Sequence, residues 1–272
     1  MTPNSDQTNA TVQVFRPTLS DGDYVDALDA EGLLLLDIAE SRSFDADIAF
    51  CPGWILSELI THLGYIYRWV GVIVGQGRLE PPGRQECTEL EDPDPADYAG
   101  TLRRLRSAHT ALVRLLRQAP PELASWTIWP APSARTFWAR RMLHETLIHR
   151  VDVQNAGFPA IYGGDDLQTT TATDGIDEMI CGFARRYTKT LRSQQPASVA
   201  LTATDTGQQW WAQISSEAPR FGRGSSPAPA DTEVRARSGE LLLLLWNRRH
   251  PDRLTITGRT DVLDIWAREA HL

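Results

Sequence analysis

Cysteine is scarce in this chain of 272 residues, and lysine is nearly absent. Cys51, Cys87 and Cys181 lie far apart and form no Cys-x-x-Cys pair, which argues against a disulfide framework and against a thiolate zinc site. They also give little reason to predict a catalytic thiol, because a reactive cysteine needs a neighbouring base or helix terminus. Lys189 is the only lysine, so arginine carries nearly all of the positive charge.

Long apolar runs are absent as well. No segment approaches the roughly 18 consecutive apolar residues of a membrane helix, and the polar start lacks the regions of a signal peptide. We therefore expect a cytoplasmic protein with no membrane partner. The net charge of -8 argues against a nucleic-acid partner, because a surface that binds phosphates needs excess positive charge. We expect a small-molecule substrate. We also expect a monomer, because the sequence has no obvious exposed heptads.

The first half of the chain predicts an antiparallel four-helix bundle, because apolar residues recur at helical spacing in four segments. We place this bundle domain at residues 20–160, after a flexible lead-in over 1–19. The acidic segment 86–97 contains prolines and predicts a mobile surface loop. The predicted helices cover 21–41, 54–74, 97–118, and a last segment that begins at Ser133 or Thr136 and ends near 155.

Short β-rich segments follow after Gly157, which indicates a second, smaller α+β domain over residues 165–272. The expected fold class is therefore mixed, with a helical bundle followed by a domain of helices and strands. Residues 222–229 are predicted to form a short flexible loop. The predicted helices of this domain are 170–191, 240–247 and 262–269, and the predicted strands are 197–204, 209–215, 232–237 and 254–257.

A histidine-containing stretch near the end of the fourth predicted helix is typical of half a metal site. Glu145 and His149 are four residues apart and so lie on one helical face, and His62 lies in another predicted helix. Three such ligands would leave a divalent ion, most readily zinc, with one open position for chemistry. The alternative is that His62 is a hydrogen-bonded core histidine and Glu145 an exposed helix residue, and spacing alone leaves both interpretations open.

His144 is a poorer ligand candidate than its neighbours, because it points about 100° away from Glu145 around a helix. The stretch also differs from the His-Glu-x-x-His motif of zinc proteases, in which the two histidines are four residues apart. His144 and His149 are five apart. A protease is therefore excluded.

Asp152 follows His149 by about one helical turn. It is positioned to accept a hydrogen bond that fixes the tautomer of this histidine, as metal-bound histidines usually require. Pairing with Arg150 or Arg141 at the surface is an equal alternative.

Two segments that contain these residues resemble the mycothiol-dependent maleylpyruvate isomerase family, which belongs to the DinB-like bundle superfamily. They are Cys51-Pro-Gly-Trp-Ile-Leu-Ser-Glu-Leu-Ile-Thr-His-Leu-Gly64 and the stretch from Phe137 to Asp152. Residues 239–249 and 254–258 resemble the family's second domain, which is of the sterol-carrier-like α+β type. The resemblance covers nearly all of residues 20–272.

The resemblance implies zinc or another divalent metal on His62, Glu145 and His149, with mycothiol as a thiol cosubstrate. It also implies a catalytic role for Arg248, which matches the arginine of a Gly-Arg pair in the family. Asn247 replaces the glycine here, so the loop backbone is not fixed by the resemblance. Arg249 is the competing candidate, and both arginines also suit a basic helix end.

The resemblance leads us to expect a mycothiol S-transferase that acts on a small electrophile in secondary metabolism. A mycothiol-dependent cis-trans isomerase is the alternative, because both reactions begin with attack by the thiol. A third hypothesis is a non-catalytic protein that binds a small molecule or lipid. Trp210, Trp211 and residues 241–245 would line its pocket, although such apolar runs more often form core.

Overall fold

The computed structural model describes residues 16–94, 97–158, 164–187 and 189–270. Most of the predicted lead-in over 1–19 therefore lies outside the described residues. The chain divides into two compact units with a boundary before residue 163, and the described residues 16–18 belong to the second unit. The hydroxyl of Thr18 donates a hydrogen bond of 2.7 Å to Asp174, so the end of the predicted flexible segment is held in place.

Four long helices of the first unit form the predicted bundle. The first helix packs against the last two long helices, and the second packs against the same two. This arrangement confirms the fold class expected for the first half of the chain. The helices are α1 (Asp21–Glu40), α2 (Leu56–Gln76), α3 (Arg84–Glu89), α4 (Tyr98–Gln118) and α5 (Ala134–Asn155).

The short helix α3 was not expected, because the acidic segment 86–97 was predicted to be a loop. Its first turn is stabilised by Glu86, whose carboxylate accepts the backbone N–H of Gly83 at 3.0 Å and a hydrogen bond from Arg78 at 2.9 Å. An acidic side chain in this position satisfies a backbone donor that the helix leaves unpaired. The prediction was therefore wrong for its first four residues.

Helix α5 begins after Ser133, whose hydroxyl accepts the backbone N–H of Thr136 at 3.2 Å. Of the two candidate caps, Ser133 is therefore the one used. Residues on every side of α5 are buried, and several of them are charged or polar. Because a buried polar group needs a partner, these side chains require polar groups on the elements that pack against α5. The helix also carries two of the three predicted metal ligands.

The second unit contains a five-stranded sheet in the order β3-β2-β1-β4-β5. Strands β1 and β4 are parallel, and the other neighbours are antiparallel. Helices α6 and α7 pack against each other and contact the sheet, which confirms the α+β expectation. The elements are α6 (Thr169–Cys181), β1 (Ala197–Ala203), β2 (Gln209–Ile214), β3 (Arg220–Arg223), β4 (Thr232–Ala236), α7 (Ser238–Leu245), β5 (Thr255–Gly258) and α8 (Asp261–Glu269).

Two predictions in this unit were wrong. The helix expected over 170–191 ends at Cys181 and is followed by a 3-10 helix over Phe183–Tyr187. The next residue is Gly182, and glycine interrupts the helical hydrogen bonds because it has the lowest helical preference after proline. Strand β3 also overlaps the predicted loop 222–229. A Cβ atom at Gly222 would lie 2.5 Å from the ring of Trp211, so only glycine fits there.

Three short 3-10 helices complete the described secondary structure, over 164–166, 183–187 and 251–253. Among the described helices, none combines the length and the apolar character needed to cross a membrane.

Candidate metal centre

Helices α2 and α5 bring His62, Glu145 and His149 together. Each residue offers one ligand atom, and the three atoms lie within 4.8 Å of one another. Oε1 of Glu145 is 3.4 Å from Nε2 of His62 and 3.3 Å from Nε2 of His149. The three residues predicted as ligands therefore share one point in the bundle.

The two distances from Glu145 fit the ligand separations of a tetrahedral zinc site. Zinc binds imidazole nitrogen and carboxylate oxygen at about 2.0–2.2 Å, and two ligands at tetrahedral corners are then about 3.3–3.5 Å apart. The distances from Glu145 to both histidines match this separation. Two histidines and one glutamate are also a ligand set that catalytic zinc sites use with a fourth position open.

The alternative interpretation, a core His62 and an exposed Glu145, does not agree with the structure. The side chain of His62 is 31% exposed, so it is not a core histidine, and that of Glu145 is only 15% exposed, so it is not a solvated helix residue. The ring of Trp54 stands edge-on to His62 with ring centres 5.3 Å apart.

Asp152 orients His149 from the side away from the cluster. Nδ1 of His149 donates to Oδ2 of Asp152 at 2.9 Å, and the Asp152 side chain is fully buried. In the neutral imidazole, which is the form that binds a metal, a proton on Nδ1 leaves Nε2 with its lone pair toward the cluster. Arg150 instead pairs with Glu31 at 2.8 Å, and Arg141 pairs with Glu145 at 3.1 Å. The bond from His149 to Asp152 that the spacing allowed is therefore present.

Glu145 is ionised in this environment. Burial alone would raise its pKa, but hydrogen bonds to His149 and His62 and the charge of Arg141 outweigh burial and hold the pKa well below its usual value. The residue therefore presents a full negative charge in a half-enclosed site, which favours a cation.

The pKa of His149 shifts in the opposite direction. Burial favours the neutral imidazole, but hydrogen bonds to Asp152 and Glu145 outweigh burial and raise the pKa of His149 to about 9. In the absence of a metal, a proton thus serves as the cation between two carboxylates. A metal ligand must be deprotonated, so metal binding would release this proton.

A cavity of about 530 Å³ opens beside His62. It gives a small molecule room next to one of the three ligands, which a closed structural metal site would not. Besides His62, its lining consists of Ser57, Glu58, Thr61, Tyr65, Glu91 and Asp92.

Two contacts were not anticipated from the sequence. Arg141 donates through Nη2 to Oε2 of Glu145 at 3.1 Å, and its spacing of four residues before Glu145 was the signal available for this pair. Sγ of Cys51 lies 3.8 Å from Oδ2 of Asp152. These residues are 101 positions apart in the sequence, so local spacing could not indicate their contact. His144 is buried and does not belong to the ligand cluster found among the described residues.

Two family models match the sequence and together cover most of it. The mycothiol maleylpyruvate isomerase N-terminal domain matches residues 25–154, and the C-terminal domain of the same family matches residues 170–264. The chain belongs to the mycothiol-dependent maleylpyruvate isomerase family.

Solved structures agree with this assignment at the level of the fold. A crystal structure of the mycothiol-dependent maleylpyruvate isomerase, and one of a histidine-to-alanine mutant of it, each align with a TM-score of 0.63 at 12% identity. Each alignment covers 88% of this chain and 93% of the other. The sequence matches none of the curated proteins.

In this member of the maleylpyruvate isomerase family, the candidate arginine of the second unit follows a well-defined helix end. The N–H of Asn247 bonds to the carbonyl of Leu244 at 3.0 Å, and that of Arg248 bonds to Leu243 at 2.7 Å, which is a Schellman motif. Asn247 has a φ of 58°, a left-handed conformation that asparagine tolerates better than most residues. Asparagine in place of glycine therefore still permits a left-handed turn.

Arg248 and Arg249 have different surroundings within this unit. Arg248 is buried and donates through Nη1 to the carbonyl of Trp246 at 2.7 Å. Arg249 forms an ion pair with Glu240, whose other carboxylate oxygen accepts the N–H of Gly164 at 2.5 Å. The side chain of Arg249 thus stabilises the fold locally.

Proposed function

We propose that this protein is a metal-dependent enzyme that uses mycothiol as a nucleophile on a small electrophilic metabolite. The observation that carries the proposal is the convergence of His62, Glu145 and His149 within 4.8 Å. Membership in a family named for a mycothiol-dependent reaction supports the choice of thiol.

His62, Glu145 and His149 would hold a zinc ion and leave a fourth position open. The ion would stabilise a thiol bound there as its thiolate, which is the nucleophilic form. Asp152 keeps the Nδ1 proton on His149, so Nε2 faces the cluster, and the cavity beside His62 gives the second reactant room. The nucleophilic sulfur comes from the cosubstrate, because the cluster itself contains only imidazole and carboxylate groups.

We propose Arg248 as the residue that neutralises charge on the substrate, either a carboxylate or a developing enolate. A guanidinium suits this role because its planar donors match two oxygens and it keeps its charge. The helix end at Asn247 supports this choice, because two backbone hydrogen bonds fix where the Arg248 side chain leaves the main chain.

Two outcomes share the first step. In an isomerisation the thiolate adds to an activated double bond, the resulting single bond rotates, and the thiolate leaves, so that the substrate changes only in geometry. The name of the matched family and of the similar structures favours this outcome.

In an S-transfer the thiolate forms a bond to an electrophilic carbon and remains there. The bond forms either by addition to a double bond, whose electron pair then takes up a proton from water, or by displacement of a leaving group from that carbon. The cavity lining favours this second candidate with an uncharged acceptor, because Glu58 and Glu91 would repel a substrate that carries several carboxylates. For the non-catalytic alternative, Trp210 and residues 241–245 are buried and Trp211 is partly exposed.

The test is to incubate zinc-loaded protein with mycothiol and candidate electrophiles and to follow mass and geometry of the products. A stable thiol adduct indicates transfer, and a product of unchanged mass with altered double-bond geometry indicates isomerisation. His149→Ala is expected to abolish either reaction. No reaction with any electrophile by a zinc-loaded protein would contradict the proposal.

A further inference from the structure

We infer that Arg141 is a positioning residue that restricts Glu145 to binding the metal through one oxygen. The inference rests on the metal site proposed above. It concerns how the carboxylate binds, which determines whether a corner remains for a second reactant.

The two oxygens of Glu145 have different partners. Oε2 accepts a hydrogen bond from Nη2 of Arg141 at 3.1 Å. Oε1 instead lies 3.4 Å from Nε2 of His62 and 3.3 Å from Nε2 of His149. Only Oε1 is therefore directed toward the position that the two imidazoles share.

The bond between Arg141 and Glu145 is well suited to hold this orientation. Both residues project from α5 with a spacing of four, and the side chain of Arg141 is only 2% exposed. A guanidinium does not lose its proton at accessible pH, and a charged hydrogen bond out of water is among the stronger ones. Turning Oε2 toward the metal would break this bond in a buried place.

A carboxylate that turned both oxygens to the metal would take up the corner that a thiol needs. Binding through one oxygen keeps the protein ligands at three, which is the arrangement of an open catalytic zinc site. The positive charge of Arg141 also offsets the negative charge of Glu145. Glu145 then neutralises less of the positive charge on the metal. Both effects favour capture of an external sulfur donor.

The test compares Arg141→Gln with a matched control on the same helix. Arg150 is also a buried arginine of α5, and its Nε donates to Glu31 at 2.8 Å outside the ligand cluster. Cobalt(II) replaces zinc as the probe, because its visible absorption is strong in four-coordinate sites and weak in five-coordinate ones.

For Arg141→Gln we expect a weaker visible band and a loss of cobalt affinity of roughly 10–100-fold, as for other outer partners of metal ligands. Arg150→Gln should keep the spectrum and the affinity of the unaltered protein, even where it unfolds more easily. Arg141→Lys retains the charge and is expected to restore the four-coordinate spectrum with part of the affinity. A merely structural role for Arg141 would not move the spectrum.

An Arg141→Gln protein with unchanged spectrum and affinity would overturn the inference while leaving the proposed function intact. X-ray absorption on the unaltered zinc protein gives a second check that does not depend on any variant folding. Four nitrogen or oxygen neighbours are expected, and five would contradict one-oxygen binding. A protein that takes up neither metal would overturn the proposed function and this inference with it.

Discussion

His109 on α4 and His149 on α5 are both largely enclosed within the first unit, with side chains 1% and 13% exposed. Their titration nevertheless differs in sign. Burial lowers the pKa of His109 below its usual value, whereas the pKa of His149 rises to about 9. Enclosure alone therefore does not decide the charge of a histidine.

The difference comes from their partners. His149 lies 2.9 Å from Asp152 and 3.3 Å from Glu145, and these two carboxylates outweigh the effect of burial. Nε2 of His109 is 3.4 Å from the carbonyl of Leu28 and 3.8 Å from Asp29, which is partly exposed. Paired carboxylates at short range thus distinguish a site for cations from a histidine of the core.

His109 has the structural role that the sequence left open for His62. It packs against α1 so closely that a Cβ atom at Gly32 would lie 2.2 Å from its Nε2. The ring of His109 fills the space over Gly32 in the core. Its nitrogens do not belong to the ligand cluster.

Exchanging the two histidines for apolar residues gives the largest expected contrast. His149→Ala should lose zinc affinity by more than the roughly 10–100-fold typical of an outer partner, because an inner ligand is gone. His109→Leu should bind zinc as the unaltered protein does. Competition against a chelating dye measures both constants, and equal losses in the two variants would contradict the contrast.

Removing the charge behind His149 should have the next largest effect. Asp152→Asn keeps the size of the side chain but weakens its hold on Nδ1, so we expect zinc affinity to fall by about 10–100-fold. Asp29→Asn is the matched control, because Asp29 stands 3.8 Å from His109 rather than from a ligand. An Asp152→Asn protein with undiminished affinity in the same titration would show that Asp152 does not orient His149.

The lowered pKa of His109 predicts a loss of stability in acid. The unfolded chain takes up a proton near pH 6.5 that the folded protein resists, so the free energy of unfolding falls as the pH drops below about 6.5. One such proton changes this free energy by at most about 1.4 kcal/mol per pH unit. Urea unfolding of the metal-free protein between pH 7 and pH 5 should therefore show a shallower decline in His109→Leu. Identical slopes would rule out this assignment.

Tyr67 lies between the two regions and provides the smallest test. Its ring centre is 5.9 Å from that of His109, and its buried hydroxyl is 2.6 Å from the Thr146 hydroxyl, beside Glu145. Tyr67→Phe should lower the free energy of unfolding by about 0.5–1.5 kcal/mol, the usual contribution of one hydrogen bond. Zinc affinity should stay the same, and a large loss would mean that the hydroxyl also supports the ligands.

Local spacing was sufficient for the part of the site that lies on one helix. The four-residue separation of Glu145 and His149 placed both on one face of α5, and the predicted end near 155 agrees with the observed end at Asn155. Such features depend on backbone geometry within a few residues, which the apolar periodicity reports directly.

Contacts between distant segments could not be derived in this way. That His62 meets Glu145 follows from how α2 packs on α5. Spacing along the chain left this contact open, and the family resemblance favoured it. The prediction that the helix beginning near residue 170 ends at Leu191 was wrong, because apolar residues continue beyond Gly182 whereas the α-helix ends at Cys181. Strand β3 failed because Gly222 fits the ring of Trp211, a neighbour that becomes visible only after the strands pair.

Anomalous diffraction at the zinc edge from crystals of the zinc-loaded protein tests the central claim most directly. We expect a single strong peak about 2.0–2.2 Å from Nε2 of His62, Nε2 of His149 and Oε1 of Glu145. A zinc-loaded crystal without a peak at this position, or with zinc bound only elsewhere on the chain, would contradict the account.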